Sequence, residues 1–270
     1  MKINPDFVEK ILTGFIREEL RKNGFSKGIL GLSGGLDSST SIFLAERALG
    51  PKNVIGMIMP YGDLFQQDVQ DARAVAEILG IKTITVDIRP SVDAYYSRFP
   101  TDSHILKGNK MARERMSVLY DFSEREKALV IGTSNKTELL IGYGTIFGDM
   151  ASAVNPIGDL YKTQVRVMAE HLGVPESVLK KAPTAGLWQG QTDEQEIGLT
   201  YEEIDRILYR LVDLRRSEQQ VIKDGFKPEK VEKIVRMIES SEFKRKLPCI
   251  AKISQRTVGL DFLYPYDRGK

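Results

Sequence analysis

The sequence holds a single cysteine, Cys249, in 270 residues. That excludes an internal disulfide, a Cys-x-x-Cys redox pair and a multi-cysteine zinc site, and it fits a reducing compartment. Histidine is almost as scarce. Neither His104 nor His171 stands in a Ser/His/Asp or Cys/His constellation, so no histidine-driven catalysis is expected. His171 falls near the end of a predicted helix, where a cation is favourable. No apolar run approaches the ~20 residues of a membrane-spanning helix. The start, MKINPDFVEKILTGFIREEL, is broken by charges every few residues, unlike a signal peptide. Neither charge is in excess: 39 Lys+Arg against 37 Asp+Glu leave a formal net charge of +2. Composition therefore gives no push toward nucleic acid or a membrane surface. What remains is the pattern of a cytoplasmic protein with 41% hydrophobic residues, enough to bury a sizeable core.

Short apolar runs alternate with amphipathic stretches. Asn4-Pro5 marks a helix start, with a capping side chain and then proline at the first helical position. Asn23-Gly24 marks its stop. Ile29–Leu32, Val54–Met59, Ile84–Ile88 and Leu129–Ile131 read as buried strands. Ser39–Leu49, Gln67–Leu79 and Ile105–Phe122 read as helices. The alternation predicts an α/β fold: a doubly wound, mostly parallel sheet flanked by helices. After Gly132 a stretch rich in Gly, Ser, Thr and Asn is too long for an ordinary connector, which marks it as functional or disordered. Helices are then expected at Thr163–Leu172, Glu202–Leu214, Glu218–Lys223 and Pro228–Glu239, giving a helical C-terminal part. No repeat or composition break divides the chain, and a single domain over residues 1–270 is expected.

The most informative stretch is GILGLSGGLDSST, Gly28 to Thr40. A glycine-rich turn between a strand and a helix lets backbone N–H groups approach a phosphate at the positive end of the helix dipole. Gly31, Leu32, Ser33, Gly34, Gly35, Leu36, Asp37 and Ser38 are therefore candidate nucleotide contacts. The Walker pattern is absent. Asp37 would repel a bare phosphate, and it fits if Mg²⁺ sits between, since Mg²⁺ is held by one or two carboxylates plus phosphate oxygens. The plainer reading is a tight turn with Asp37 as a helix cap.

This loop resembles the Ser-Gly-Gly-x-Asp-Ser loop of the N-type ATP pyrophosphatases, which cleave ATP between the α- and β-phosphates and adenylate a substrate oxygen. Later segments resemble NAD synthetases within that superfamily. GNKMARERMSVLY resembles the family's arginine-bearing helix, and the resemblance places Arg113 against deamido-NAD. GTSNKTELLIGYGTIFGDMA resembles its central loop, which makes Thr133 an ATP contact and Glu138 a Mg²⁺ ligand beside Asp37. DLYKTQV puts Lys162 where the family has a lysine on the ATP phosphates. KKAPTAGL resembles an Ala-Pro-Thr-Ala loop, with Thr184 on ATP, and EFKRKLP resembles a basic motif that carries Lys244 to the dinucleotide. The resemblance runs in order from about residue 6 to about 265. It implies an adenine nucleotide alpha hydrolase-like fold and a C–N ligase acting on ATP, deamido-NAD and ammonia, with Mg²⁺, Asp37 and Lys162 at its chemical centre. It also implies a homodimer, for which the apolar first helix is one candidate surface.

The chain departs from the pattern at three places. Ile146, Ala153 and Phe243 stand where the family has dinucleotide-contacting residues, so those roles are not carried over. YGTIFGDMAS looks more like the synthetase domain of the glutamine-dependent enzymes, yet no Glu/Lys/Cys amidase triad is present. Free ammonia, or ammonia from a separate amidase, is the expected donor. Two alternatives stay open: an ATP pyrophosphatase with another acceptor, or a non-catalytic ATP-binding regulator. Singly, Arg113, Lys162 and Glu138 are also ordinary surface charges. Trp188 either covers a ligand or packs its own loop. GYGTIFG does not follow a clear strand or keep the G-x-G-x-x-G spacing and is not read as a dinucleotide fingerprint.

Overall fold

The computed structural model describes residues 1–262 apart from Ala185, Leu187, Gln189, Gln191 and Leu247. Those five include parts of the Ala-Pro-Thr-Ala and basic motifs, which to that extent lie outside the described residues, as does the end of the C-terminal stretch from 263. In chain order the elements begin α1 (Pro5–Lys22), β1 (Lys27–Gly31), α2 (Leu36–Leu49), β2 (Val54–Ile58) and α3 (Gln66–Leu79). They continue with β3 (Lys82–Thr85), α4 (Arg89–Tyr96), α5 (His104–Glu126), β4 (Ala128–Val130) and α6 (Lys136–Ile141). The remainder is helical: α7 (Lys162–Leu172), α8 (Glu176–Leu179), α9 (Asp193–Ile197), α10 (Tyr201–Leu208), α11 (Glu218–Lys223) and α12 (Pro228–Ser240). None of the described helices is long and apolar enough to cross a membrane.

The four strands form one parallel sheet in the order β3-β2-β1-β4. Parallel strands are covered on both faces, which is why they read as unbroken apolar runs. Leu30 and Ile58 face α1, α2 and α7, where Ile16, Ile42, Leu44 and Met168 are fully buried. Ile29, Ile55, Met57 and Val130 face α5 through Leu119. The chain winds from β1 outward to β2 and β3, then returns to place β4 on the other side of β1. The connections therefore diverge between β1 and β4, and a crevice opens beyond the carboxyl ends of those two strands.

The expected helix start is as observed: the Asn4 side chain accepts the Phe7 N–H at 3.2 Å, and Pro5 takes the first helical position. Three expectations need correction. The third strand runs Lys82–Thr85, not Ile84–Ile88, because it is the solvent-exposed edge of the sheet and carries little apolar signal. Ile88 leaves the sheet to pack with Val92 and Met111, and Asp87 accepts the N–H groups of Arg89 and Gly62 to start α4. The stretch after Gly132 contains α6, closed by a capping box between Asn135 and Glu138. The helix expected over Glu202–Leu214 changes pitch: residues Tyr209–Asp213 form a π-turn, with the Leu214 N–H on the Tyr209 carbonyl at 3.0 Å. Helices α10 to α12 bury Ile204, Leu208, Val221, Val231 and Ile234 in a second core against α6.

Candidate active site

At the β1/β4 switch point lies a cleft of about 520 Å³. Two short connections build its floor. The first leaves β1 as Leu32-Ser33-Gly34-Gly35 and enters α2. The Ser38 hydroxyl accepts the Ser33 N–H at 3.2 Å and lies 2.9 Å from the Ser33 hydroxyl, so the loop is folded back on its own helix. Gly34 has φ +78°, and a Cβ there would stand 2.2 Å from the Asp68 carbonyl of α3, so only glycine fits. Lys181 holds the other side of this loop, with its Nζ 3.2 Å from the Gly34 carbonyl and 2.6 Å from Asp68. The second connection leaves β4 as Gly132-Thr133-Ser134-Asn135 and enters α6.

Helix α2 has no side-chain cap bond at its N-terminus. Asp37 is thus not the cap that the plainer sequence reading allowed. Its carboxylate accepts Asn135 Nδ2 at 3.1 Å and the Lys162 ammonium. Lys162, the first residue of α7, also donates to Glu138 at 3.2 Å. Residues 37, 138 and 162 come from three helix starts and meet at one ammonium.

The electrostatics of this triad are unbalanced: two carboxylates face one cation. Burial works against the Lys162 ammonium, but Asp37 and Glu138 outweigh it and hold its pKa above the usual lysine value. Burial, with Asp37 adding to it and Lys162 opposing, pushes the Glu138 carboxyl up to about 8. Asp37 and Glu138 offer carboxylate oxygens, the donor type that suits Mg²⁺, and the Lys162 ammonium now stands between them. Among the described residues no group of three or more His, Cys, Asp or Glu is arranged to hold a metal ion. Such an ion would need ligand oxygens as well.

Every sequence-predicted residue from Gly31 to Ser38 except Gly34 lines the cleft, as do Thr133, Glu138, Lys162, Thr184 and Lys244. Lys244 donates to the carbonyls of Gly142 and Gly144 at 2.8 and 2.9 Å, and burial lowers its pKa. Arg113 does not line the cleft; it is exposed on α5, its Nε 3.3 Å from the Ile146 carbonyl. Arg115, two residues on, lines it instead, with its Nε 3.0 Å from the Met59 carbonyl. Trp188 lines the cleft, its ring centroid 5.7 Å from that of His104. His171 lies elsewhere, 2.7 Å from Glu9.

Sequence reasoning missed Asn135 and Asp193. Asn135 had a signal, since Asn three residues before Glu is a capping-box pattern. Asp193 had none. It is buried, lines the cleft and accepts the hydroxyls of Tyr143 and Tyr201 at 3.1 and 3.0 Å. The Tyr201 ring lies 5.1 Å from Lys162 Nζ.

Comparison with known proteins gives the same answer from sequence and from shape. A family model for NAD synthase matches residues 8–248. The NH(3)-dependent NAD(+) synthetase of Trichlorobacter lovleyi is 52% identical over 270 residues, covering 100% of this chain and 99% of that protein. Among solved structures, an NMN synthetase from Francisella tularensis superposes with a TM-score of 0.82 at 34% identity, over 93% of this chain and 99% of that one. The NH3-dependent NAD synthetase from Campylobacter jejuni superposes with a TM-score of 0.80 at 31% identity, over 93% of this chain and 100% of that one.

Proposed function

Because the chain belongs to the NAD synthase family, we infer that it forms NAD by ATP-dependent amidation of deamido-NAD with ammonia. ATP adenylates the nicotinate carboxylate and releases pyrophosphate. Ammonia then attacks the acyl adenylate, giving NAD and AMP. The carboxylate oxygen is a poor leaving group, and adenylation exchanges it for AMP. The observation that carries this reading is the meeting of Asp37, Glu138 and Lys162 beside the Ser33–Ser38 loop. A bare ATP-binding regulator needs the loop but not that triad.

Each residue then has a role its chemistry supports. The backbone and hydroxyls of Ser33 to Ser38 hold the phosphates at the start of α2. Lys162 is the point charge on the same phosphates, held in place by Asp37 and Glu138. Thr133 and Thr184 contact ATP and Lys244 the dinucleotide; Arg113, outside this cleft, would reach a dinucleotide only across a dimer interface. Asp37 and Glu138 would hold Mg²⁺, which when bound supplies charge stabilisation at the phosphoryl oxygens. The residues' own task is positional: the three helix starts bring the groups together before substrate arrives, so little reorganisation is left for the transition state.

The donor is tested by product analysis with ATP, Mg²⁺ and deamido-NAD, comparing ammonium with glutamine. NAD, AMP and pyrophosphate are expected from ammonium and not from glutamine; a separate amidase would supply ammonia from glutamine on this reading. Nicotinate mononucleotide belongs in the same assay as a second acceptor, given the resemblance to an NMN synthetase. Amidation of the mononucleotide alone would replace this reading.

The enzyme works in the cytoplasm on this reading, as a homodimer with deamido-NAD bound across the interface. Two features support the dimer. Phe7, Ile11 and Phe15 form an exposed apolar stripe at i, i+4 and i+8 on α1. Tyr95 on α4, Phe99 in the turn after it, and Ile105 and Leu106 on α5 are exposed, α5 being the helix that carries Arg113 away from the cleft. Light scattering at assay concentration should give the mass of two 30.4 kDa chains; a single monomeric species would remove the dimer.

A further inference from the structure

The segment from Tyr201 to Asp213 runs behind the triad. Its Asp205 is fully buried. One Asp205 oxygen accepts the Thr137 hydroxyl at 2.5 Å, and the other accepts the Thr163 N–H at 2.8 Å. The Thr137 hydroxyl oxygen in turn accepts the Lys162 N–H at 2.9 Å. Thr137 immediately precedes Glu138, and Thr163 immediately follows Lys162. Asp213 repeats the pattern one step back. It accepts the Tyr161 hydroxyl and the Lys136 ammonium, the latter at 3.0 Å. Lys136 is the first residue of α6, and Tyr161 precedes α7. Each carboxylate therefore bridges the start of α6 to the start of α7, through the residues on either side of Lys162 and the two residues that precede Glu138.

The π-turn makes this pairing possible. In a regular helix residues eight apart are about 80° out of phase at 3.6 residues per turn. A π-turn absorbs one extra residue, which leaves Asp205 and Asp213 with the phase of residues seven apart, about 20° from alignment. The change of pitch falls between them, at Tyr209–Asp213. It turns both carboxylates toward the same pair of helix starts. Without it one of the two bridges would be lost.

We propose that Tyr201–Asp213 is a positioning clamp, in which Asp205 and Asp213 fix the spacing of α6 against α7 and so set where Glu138 and Lys162 face each other. This rests on the reading of those two residues as nucleotide-site groups. Asp205 and Asp213 touch no substrate; they act through the helix starts.

The test uses Asp205→Asn, Asp213→Asn and Thr137→Val, with Thr137→Ser as the conservative control. Calorimetric binding of ATP with Mg²⁺ is measured alongside kcat, KM for deamido-NAD and the melting temperature. Support in groups around a metal and phosphate site is worth ~10- to 100-fold. A clamp predicts ~10-fold weaker ATP–Mg²⁺ binding and a comparable loss in kcat for the first three variants, an unchanged KM for deamido-NAD, and recovery in Thr137→Ser. A merely structural role would lower the melting temperature and leave ATP–Mg²⁺ affinity where it was; that result overturns the clamp. Should Asp205→Asn not fold, Asp213→Asn decides, its side chain being 33% exposed. If the wild type binds ATP but forms no NAD, the functional reading fails while the binding comparison still decides the clamp.

Discussion

Asp37→Ala is expected to stop adenylation while leaving the fold standing. The loss should be ~10³-fold or more in pyrophosphate release, equivalent to about 4 kcal/mol of transition-state stabilisation, because an electrostatic group at the phosphates is removed. The fold survives because of the charge arithmetic in the cleft. Asp37 is one of two carboxylates on the Lys162 ammonium. Without it, Lys162 keeps Glu138 at 3.2 Å as a one-to-one pair. The structural cost is the hydrogen bond from Asn135 and one arm of the Lys162 ion pair, less than the loss of the shared ammonium itself because Lys162 keeps a carboxylate partner. Each kcal/mol lost lowers the melting temperature of a chain of this size by only about 2–4 °C. A folded Asp37→Ala protein that still releases pyrophosphate at the wild-type rate would falsify the assignment of this residue to the chemistry.

The residues that carry the site were legible where local sequence makes them so. The loop from Gly31 to Ser38 is a strand–turn–helix motif, and its glycines and hydroxyls mark a candidate phosphate loop before any fold is known. The parallel sheet was legible from its buried apolar runs, but β3 was misplaced because an edge strand such as Lys82–Thr85 is mostly exposed. The side chains that organise the centre were not legible. Asp193, Asp205 and Asp213 look like ordinary acidic residues on helical stretches, and what distinguishes them is their partners: Tyr143 and Tyr201, Thr137 and Thr163, Lys136 and Tyr161. Most of those partners lie tens of residues away. Arg113 and Arg115 show the same limit at short range. Both sit on α5 within one turn, and only the packed helix decides that Arg115 lines the cleft and Arg113 faces outward.

Lys162→Met should fail in both respects, and the contrast with Asp37→Ala separates the two roles. Activity should fall by ~10³-fold or more as the phosphate clamp is lost. Stability should fall as well, since Asp37 and Glu138 are left facing each other at low exposure with their shared cation gone. Breaking a buried pair from one side costs ~3–5 kcal/mol, or roughly 10 °C in melting temperature for a protein of this length. The pH dependence follows from Glu138. Its folded pKa, near 8, lies above the ordinary 4.5 because of burial, so the folded state binds this proton more tightly than the unfolded state. That contribution to stability is present below pH 4.5 and is lost as pH rises through 8. Removing Lys162 takes away the charge that opposes the shift, so ionising Glu138 becomes costlier still. The gap in melting temperature between wild type and Lys162→Met should therefore stay level from pH 6 to about pH 8 and widen above it, as the wild-type Glu138 ionises and the variant's stays protonated. Added Mg²⁺ should narrow it, because a divalent cation between the two carboxylates replaces the missing ammonium. A gap that stays constant with pH and is indifferent to Mg²⁺ would mean that Lys162 supports the fold through its packing against Tyr201, and that the two carboxylates are not the pair that receives the metal.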